Sequence, residues 1–210
     1  MRIDSLKTAP DRAGRYWLTF EDGSRLGLYR QTVEDFGLFS GMELTNEELE
    51  KLQSAAGQMS AKMRSVRIVS ASSVSCRDLE ERLVRKGEDP EHAKQAVAWM
   101  EELNLLNDRN TAEQVVHSCI SKGYGLARAK QALYEKRIPK EYWEEALADY
   151  PDQMDRIISF LKSRVDDQSD PRQVKRALEA LIRRGHSYGT IREGLNQLSL
   201  ETEEFLEESF

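Results

Sequence analysis

The rhythm of apolar positions changes once along this chain. Tyr16-Trp17-Leu18-Thr19-Phe20 and Arg25-Leu26-Gly27-Leu28-Tyr29 are rich in aromatic and branched side chains. Such residues suit a pleated surface. Asp22-Gly23 between them supplies the positive φ angles of a tight turn, so the two runs predict a β-hairpin. Gln31 to Phe36 predicts one helical turn, and Met42-Glu43-Leu44, after Gly41, a short strand. These 44 residues are too few to bury much alone, so the module is expected to lean on the helix that follows.

From Thr45 onward the pattern is helical. Thr45-Asn46-Glu47-Glu48 reads as a capping box, with a hydroxyl at the cap and a carboxylate three residues on. Pro90, Pro139, Pro151 and Pro171 lie where first helical turns would begin, a position that tolerates the missing N–H. Asp89, Asp170, Ser75, Asp108 and Ser187 are candidate caps. The predicted helices are 46–70, 75–86, 90–103, 109–122, 126–136, 139–149, 151–164, 171–184 and 188–197.

Three segments share one spacing. Leu79, Leu83, Gly87, Ala93, Ala96 and Val97 recur as Ala129, Leu133, Arg137, Trp143, Ala146 and Leu147, then as Ala177, Leu181, Gly185, Ile191, Gly194 and Leu195. The offsets are 0, 4, 8, 14, 17 and 18 in every copy. Offsets 0 and 4 share one helix face, and offset 8 falls at a helix end where glycine turns left-handed. Offsets 14 and 18 form the apolar face of the next helix, and the small residue at 17 permits close approach. Each copy is a helix hairpin; with the preceding helix it makes a three-helix unit that must stack on its neighbours. The predicted fold is therefore mainly all-α: three tandem three-helix repeats in an elongated curved array, with a small N-terminal β-hairpin module. The expected divisions are 1–44 for that module, 45–104, 105–149 and 150–198 for the repeats, and 199–210 for an acidic tail.

Composition narrows the function classes. The 210 residues carry a net charge of −6, but acid collects in the first fifty and last ten residues. Residues 51–100 and 151–200 carry a small basic excess. No apolar run is long enough to span a membrane and no apolar leader opens the chain, so a cytoplasmic protein is expected. Cys76 and Cys119 have neither disulfide-framework nor metal spacing. His92, His117 and His186 are far apart, Gly123-Tyr124-Gly125 lacks a preceding strand, and Glu80-Glu81 and Glu144-Glu145 diverge on exposed helix faces. No enzyme, cofactor or metal is expected.

Several stretches resemble the RecX family, whose members regulate the RecA recombinase. Leu105-Leu106-Asn107-Asp108 followed by Ala112, and the run from Ser75 through Asp78, Leu79 and Leu83 to Lys86-Gly87, are similar to family motifs. So are Lys122-Gly123-Tyr124-Gly125 followed by Leu133, and Arg183-Arg184-Gly185-His186-Ser187. Gly37-Leu38, Gly41-Met42 and Leu44 resemble the N-terminal module of Gram-positive-type members. The likeness covers nearly the whole chain. It implies curved tandem three-helix repeats that bind the RecA–DNA filament and modulate, most simply inhibit, its ATPase, recombinase and coprotease activities. That places the protein in homologous recombination, DNA repair and the SOS response. The chain departs from the pattern at Ser70-Ala71-Ser72-Ser73-Val74-Ser75, where two family arginines are absent, at Arg137 in place of glycine, and at His186 where phenylalanine is common.

Basic residues collect near corresponding hairpin ends. Arg82, Arg85 and Lys86 belong to the first repeat. Lys122, Arg128, Lys130, Lys136 and Arg137 belong to the second, and Arg172, Lys175, Arg176, Arg183 and Arg184 to the third. Stacking would align Lys86, Lys136 and Arg184 on one edge able to follow phosphates or an acidic strip; favourable placement of cations at helix C-termini explains any single cluster equally. The expected partners are the RecA filament and single- or double-stranded DNA, with the protein a monomer. The acidic tail would compete with DNA for the basic edge. A generic helical scaffold for another protein and a direct nucleic-acid binder are the alternative readings.

Overall fold

The computed structural model describes residues 1–165 and 170–198; the tail expected at 199–210 lies outside them. The chain divides between Asn107 and Asp108 into two compact units.

The first unit opens with a three-stranded antiparallel sheet in the order β1 (Ile3–Leu6), β2 (Arg15–Phe20), β3 (Arg25–Tyr29). In the turn between β2 and β3 only Gly23 has a positive φ, of 81°. Asp22 instead accepts hydrogen bonds from the amide and hydroxyl of Ser24. Strand β1 has no counterpart in the sequence reading, because Asp4 and Ser5 hide its period. Its pairing comes from β2, with Leu6 opposite Leu18, and from the segment expected as a strand at 42–44, which contributes a bridge between Arg2 and Glu43.

Helix α1 (Arg30–Asp35) leads to α2 (Asn46–Ala71), a helix of 26 residues. Thr45 and Glu48 form the full capping box. The early part of α2 gives Leu52 and Ala56 to the core under the sheet, with Ile3, Leu18, Phe20, Leu28, Leu38 and Leu44. Its later part gives Ala61 to a second core, shared with α3 (Cys76–Arg85) and α4 (Pro90–Glu102).

The second unit holds α5 (Asp108–Ser121), α6 (Leu126–Glu135), α7 (Trp143–Leu147), α8 (Met154–Lys162), α9 (Pro171–Arg183) and α10 (Tyr188–Gln197). Ser75, Asp89, Asp170 and Ser187 cap their helices through side-chain oxygens, whereas Asp108 is the first residue inside α5. Pro90 and Pro171 occupy first turns as expected. Pro139 and Pro151 do not. Pro139 precedes a 3-10 turn at Lys140–Tyr142 that runs into the short α7, and Pro151 lies before Gln153, the N-cap of α8. Neither α7 nor α8 has a side-chain cap at its N-cap residue, so these starts lack the local signal that fixes α2, α3, α4, α9 and α10.

The three-helix plan recurs. The third helix packs on the first in each set: α4 on α2, α7 on α5 and α10 on α8. Leu83, Leu133 and Leu181 are each at most 1% exposed, the equivalence the repeat requires. Burying one such leucine contributes about 2 kcal/mol. Gly194 makes the close approach expected at offset 17, where an added Cβ would sit 3.0 Å from Ile157 of α8.

Candidate interaction surface

The corresponding hairpin ends are built alike. Residues Gly87, Arg137 and Gly185 have φ of 90°, 57° and 84°. In each copy this residue's amide donates to the carbonyl three back: Gly87 to Val84, Arg137 to Tyr134, Gly185 to Ile182. The next amide donates five back: Glu88 to Leu83, Ile138 to Leu133, His186 to Leu181. This is the Schellman arrangement that satisfies carbonyls at a helix end. Arg137 adopts the left-handed turn without glycine's freedom.

That shared geometry fixes what each end shows. The residue before the left-handed one is basic in all three copies, Lys86, Lys136 and Arg184, and caps its helix. Two residues earlier stands an exposed apolar side chain: Val84 at 39%, Tyr134 at 67% and Ile182 at 40%. Sequence reasoning missed this second half of the pattern, because it searched the repeat for its buried face. Each hairpin thus presents one apolar side chain and one cation at equivalent positions.

Other predicted residues divide by setting. Arg85, Lys122, Lys130, Arg137, Arg172, Lys175, Arg176 and Arg183 are exposed. Arg128, Lys136 and Arg184 are half-buried. Arg128 pairs with Glu135 at 2.9 Å, a contact that raises the guanidinium's pKa and lowers that of the carboxyl. Arg183 pairs with Glu179 at 3.7 Å, and Arg184 lies 4.5 Å over the ring of Phe160. Arg82, Arg85 and Lys86 belong to the first unit, and the remaining predicted residues to the second.

In the second unit, part of the basic set meets at a glycine crossing. The Gly125 amide donates to Arg184 O at 2.9 Å, and the Ala127 amide to Gly185 O at 3.3 Å. A Cβ on Gly125 would lie 2.1 Å from Gly185 O, and one on Gly185 2.2 Å from Arg128 N. The start of α6 and the end of α9 are thereby in backbone contact. Lys136 is ten residues further along, about 15 Å by the helical rise. Buried His186 hydrogen-bonds Gly123 O through Nε2 at 3.1 Å, and burial holds its pKa below the ordinary imidazole value. The hydroxyl of Tyr150 donates to Tyr124 O at 2.7 Å, and burial pushes its pKa up to about 12. A cavity of about 590 Å³ lies here, lined by Lys130, Tyr150, Gln153 and His186 among others. Arg156, absent from the sequence-based set, reaches Ser121 O beside Lys122.

A family model described as "RecX, second three-helix domain" matches residues 107–147, the stretch that folds as α5, α6 and α7. The regulatory protein RecX of Chlorobaculum tepidum is 31% identical over 118 residues, covering 55% of this chain and 74% of that protein. The chain belongs to the RecX family. Regulatory protein RecX of Clostridioides difficile is 25% identical over 203 residues and is matched over 94% of both chains. A crystal structure of regulatory protein RecX superposes with a TM-score of 0.62 at 20% identity, covering 91% of this chain and 98% of that one; it shows that the RecX fold is shared. Among the described residues, no helix is long and apolar enough to cross a membrane.

Proposed function

We propose that this RecX-family chain is a regulator that binds the RecA–DNA filament and inhibits its ATPase, and with it strand exchange and coprotease activity. The observation that carries this reading is the apolar–basic pair repeated at all three hairpin ends: Val84 with Lys86, Tyr134 with Lys136, Ile182 with Arg184. Cations alone would serve a phosphate track. An exposed apolar neighbour in every copy suits a repetitive protein surface that is also acidic. The relatives' shared name, regulatory protein RecX, supports the same role.

The test is ATP hydrolysis by RecA on single-stranded DNA. Substoichiometric protein is expected to slow it, and the combined Tyr134→Ser, Lys136→Glu, Ile182→Ser and Arg184→Glu variant to lose most of the effect. A RecA ATPase indifferent to saturating protein refutes the assignment.

A further inference from the structure

The first unit carries a second cationic site, built from elements far apart in sequence. A recess of about 470 Å³ opens between the sheet and helices α2 and α3. Its lining includes Arg15 of β2, Arg64 and Arg67 of α2, Arg82 of α3 and Lys86 at the end of α3. Three of these cations are held by carboxylates: Arg15 by Asp11 at 2.9 Å, Arg64 by Glu88 at 2.6 Å and Arg82 by Asp78 at 2.9 Å. Arg67 donates to neutral oxygens, the Ala13 carbonyl at 2.6 Å and the Tyr29 hydroxyl at 3.2 Å. Lys86 has no carboxylate partner among the described residues. The five cations thus face three carboxylates, leaving an excess of two positive charges.

The carboxylates act as braces. Glu88 is buried and also accepts from Ser60, so it fixes Arg64 through Nε alone and leaves both terminal nitrogens of that guanidinium unused by the described residues. Asp11 takes Nε and Nη2 of Arg15 and also accepts the Arg15 amide, and its carboxyl is held at about 2. Guanidinium heads fixed this way lose little further freedom when a ligand arrives.

We infer that this recess binds a backbone phosphate of single-stranded DNA. Donors approach from β2, α2 and α3. A backbone phosphodiester carries its two free oxygens on a tetrahedral centre, with two ester oxygens as weaker acceptors, and so can meet donors that converge from three elements; a planar carboxylate presents both oxygens in one plane, which one guanidinium fork satisfies. The ligand rests on the reading of the chain as a protein of DNA-containing filaments. The site itself is independent of the apolar–basic hairpin ends, sharing only Lys86 with them.

The test is anisotropy of a labelled oligo(dT) titrated with the whole chain, without RecA, across a salt series. Arg67→Gln with Lys86→Gln is expected to weaken binding and to flatten the log–log salt slope by about 1.4, or about 0.7 per cation removed. Lys86→Gln alone, an exposed change that leaves the sheet contacts intact, is expected to give about half of that. Lys94→Gln, on the exposed face of α4, serves as the control for bulk charge. Binding by wild type that the recess variants leave unchanged, or that Lys94→Gln reduces equally, overturns the inference, as does an absence of binding at low salt. Polyglutamate that displaces the oligonucleotide as well as an equally charged polyphosphate does overturns the phosphate assignment. RecA is absent from these titrations. Inhibition of the RecA ATPase without recess-dependent DNA binding sinks this inference alone, and the reverse result sinks the filament reading alone.

Discussion

Replacing Gly125 by alanine puts the packing of the second unit to a direct test. The new Cβ would lie 2.1 Å from Gly185 O, 2.4 Å from Gly185 C and 2.5 Å from His186 N. All three are backbone atoms, so no rotamer change relieves the overlap, and α6 and α9 must separate by about 1 Å or more. Forced overpacking of this kind costs about 1–3 kcal/mol. The separation also breaks the Gly125–Arg184 and Ala127–Gly185 bonds and stretches His186 from Gly123. Each of these contributes about 1 kcal/mol. The expected loss is about 4–6 kcal/mol, and for a unit of this size each kcal/mol lowers Tm by about 4–8 °C. Urea unfolding followed by circular dichroism measures it, with hydrogen exchange at residues 123–128 and 184–187 locating the damage. Gly189→Ala is the control: its Cβ would meet nothing closer than Ser187 Oγ at 3.9 Å. Inside α10 it should gain up to about 1 kcal/mol from helix propensity. A Gly125→Ala variant within about 1 kcal/mol of wild type would show that the two backbones do not meet as described.

Three further changes have definite signs. His186 is buried and its pKa lowered, so protonation favours the unfolded chain: its full contribution to stability is present above the ordinary imidazole value of 6.5 and declines as pH falls below it. The Tm of wild type should therefore drop more steeply from pH 7 to 5 than that of His186→Phe; parallel profiles would refute this. Arg137→Gly relieves a side chain held at φ 57° and should stabilise the chain by about 1 kcal/mol in urea, and a loss of stability would mean that arginine's other contacts outweigh the strain. In the Arg64–Glu88 pair the side chains are 34% and 7% exposed, so the two truncations are unequal. Arg64→Met strands a buried carboxylate and should cost about 3 kcal/mol, whereas Glu88→Ala leaves a cation that water can reach and should cost about 1 kcal/mol. Equal losses in urea titrations would contradict the burial difference.

Much of the helical scaffold was legible because its signals are local. Thr45–Glu48, Ser75, Asp89-Pro90, Asp170-Pro171 and Ser187 each start a helix through contacts within a few residues. The left-handed turns at Gly87, Arg137 and Gly185 followed from one aligned offset. What stayed hidden depends on residues distant in sequence. Strand β1 acquires its structure from β2. The Gly125–Gly185 contact joins segments sixty residues apart, and no local pattern marks it. The recess cations come from three elements: Arg82 and Lys86 of α3 stood out as a basic cluster, but nothing local ties them to Arg15 of β2 or to Arg64 and Arg67 of α2. The exposed apolar residue at each hairpin end was in plain view but carries meaning only once its solvent exposure is known.

The 26-residue α2 belongs to two cores at once, with Leu52 and Ala56 under the sheet and Ala61 against α3 and α4. At about 1.5 Å per residue it is a rod some 39 Å long. A shortened chain that begins at Thr45 would keep every residue of that rod yet wet the apolar stripe along its leading half. The small sheet is thus less an appendage than a sheath, and where the hydrophobic rhythm changes is a poor place to cut.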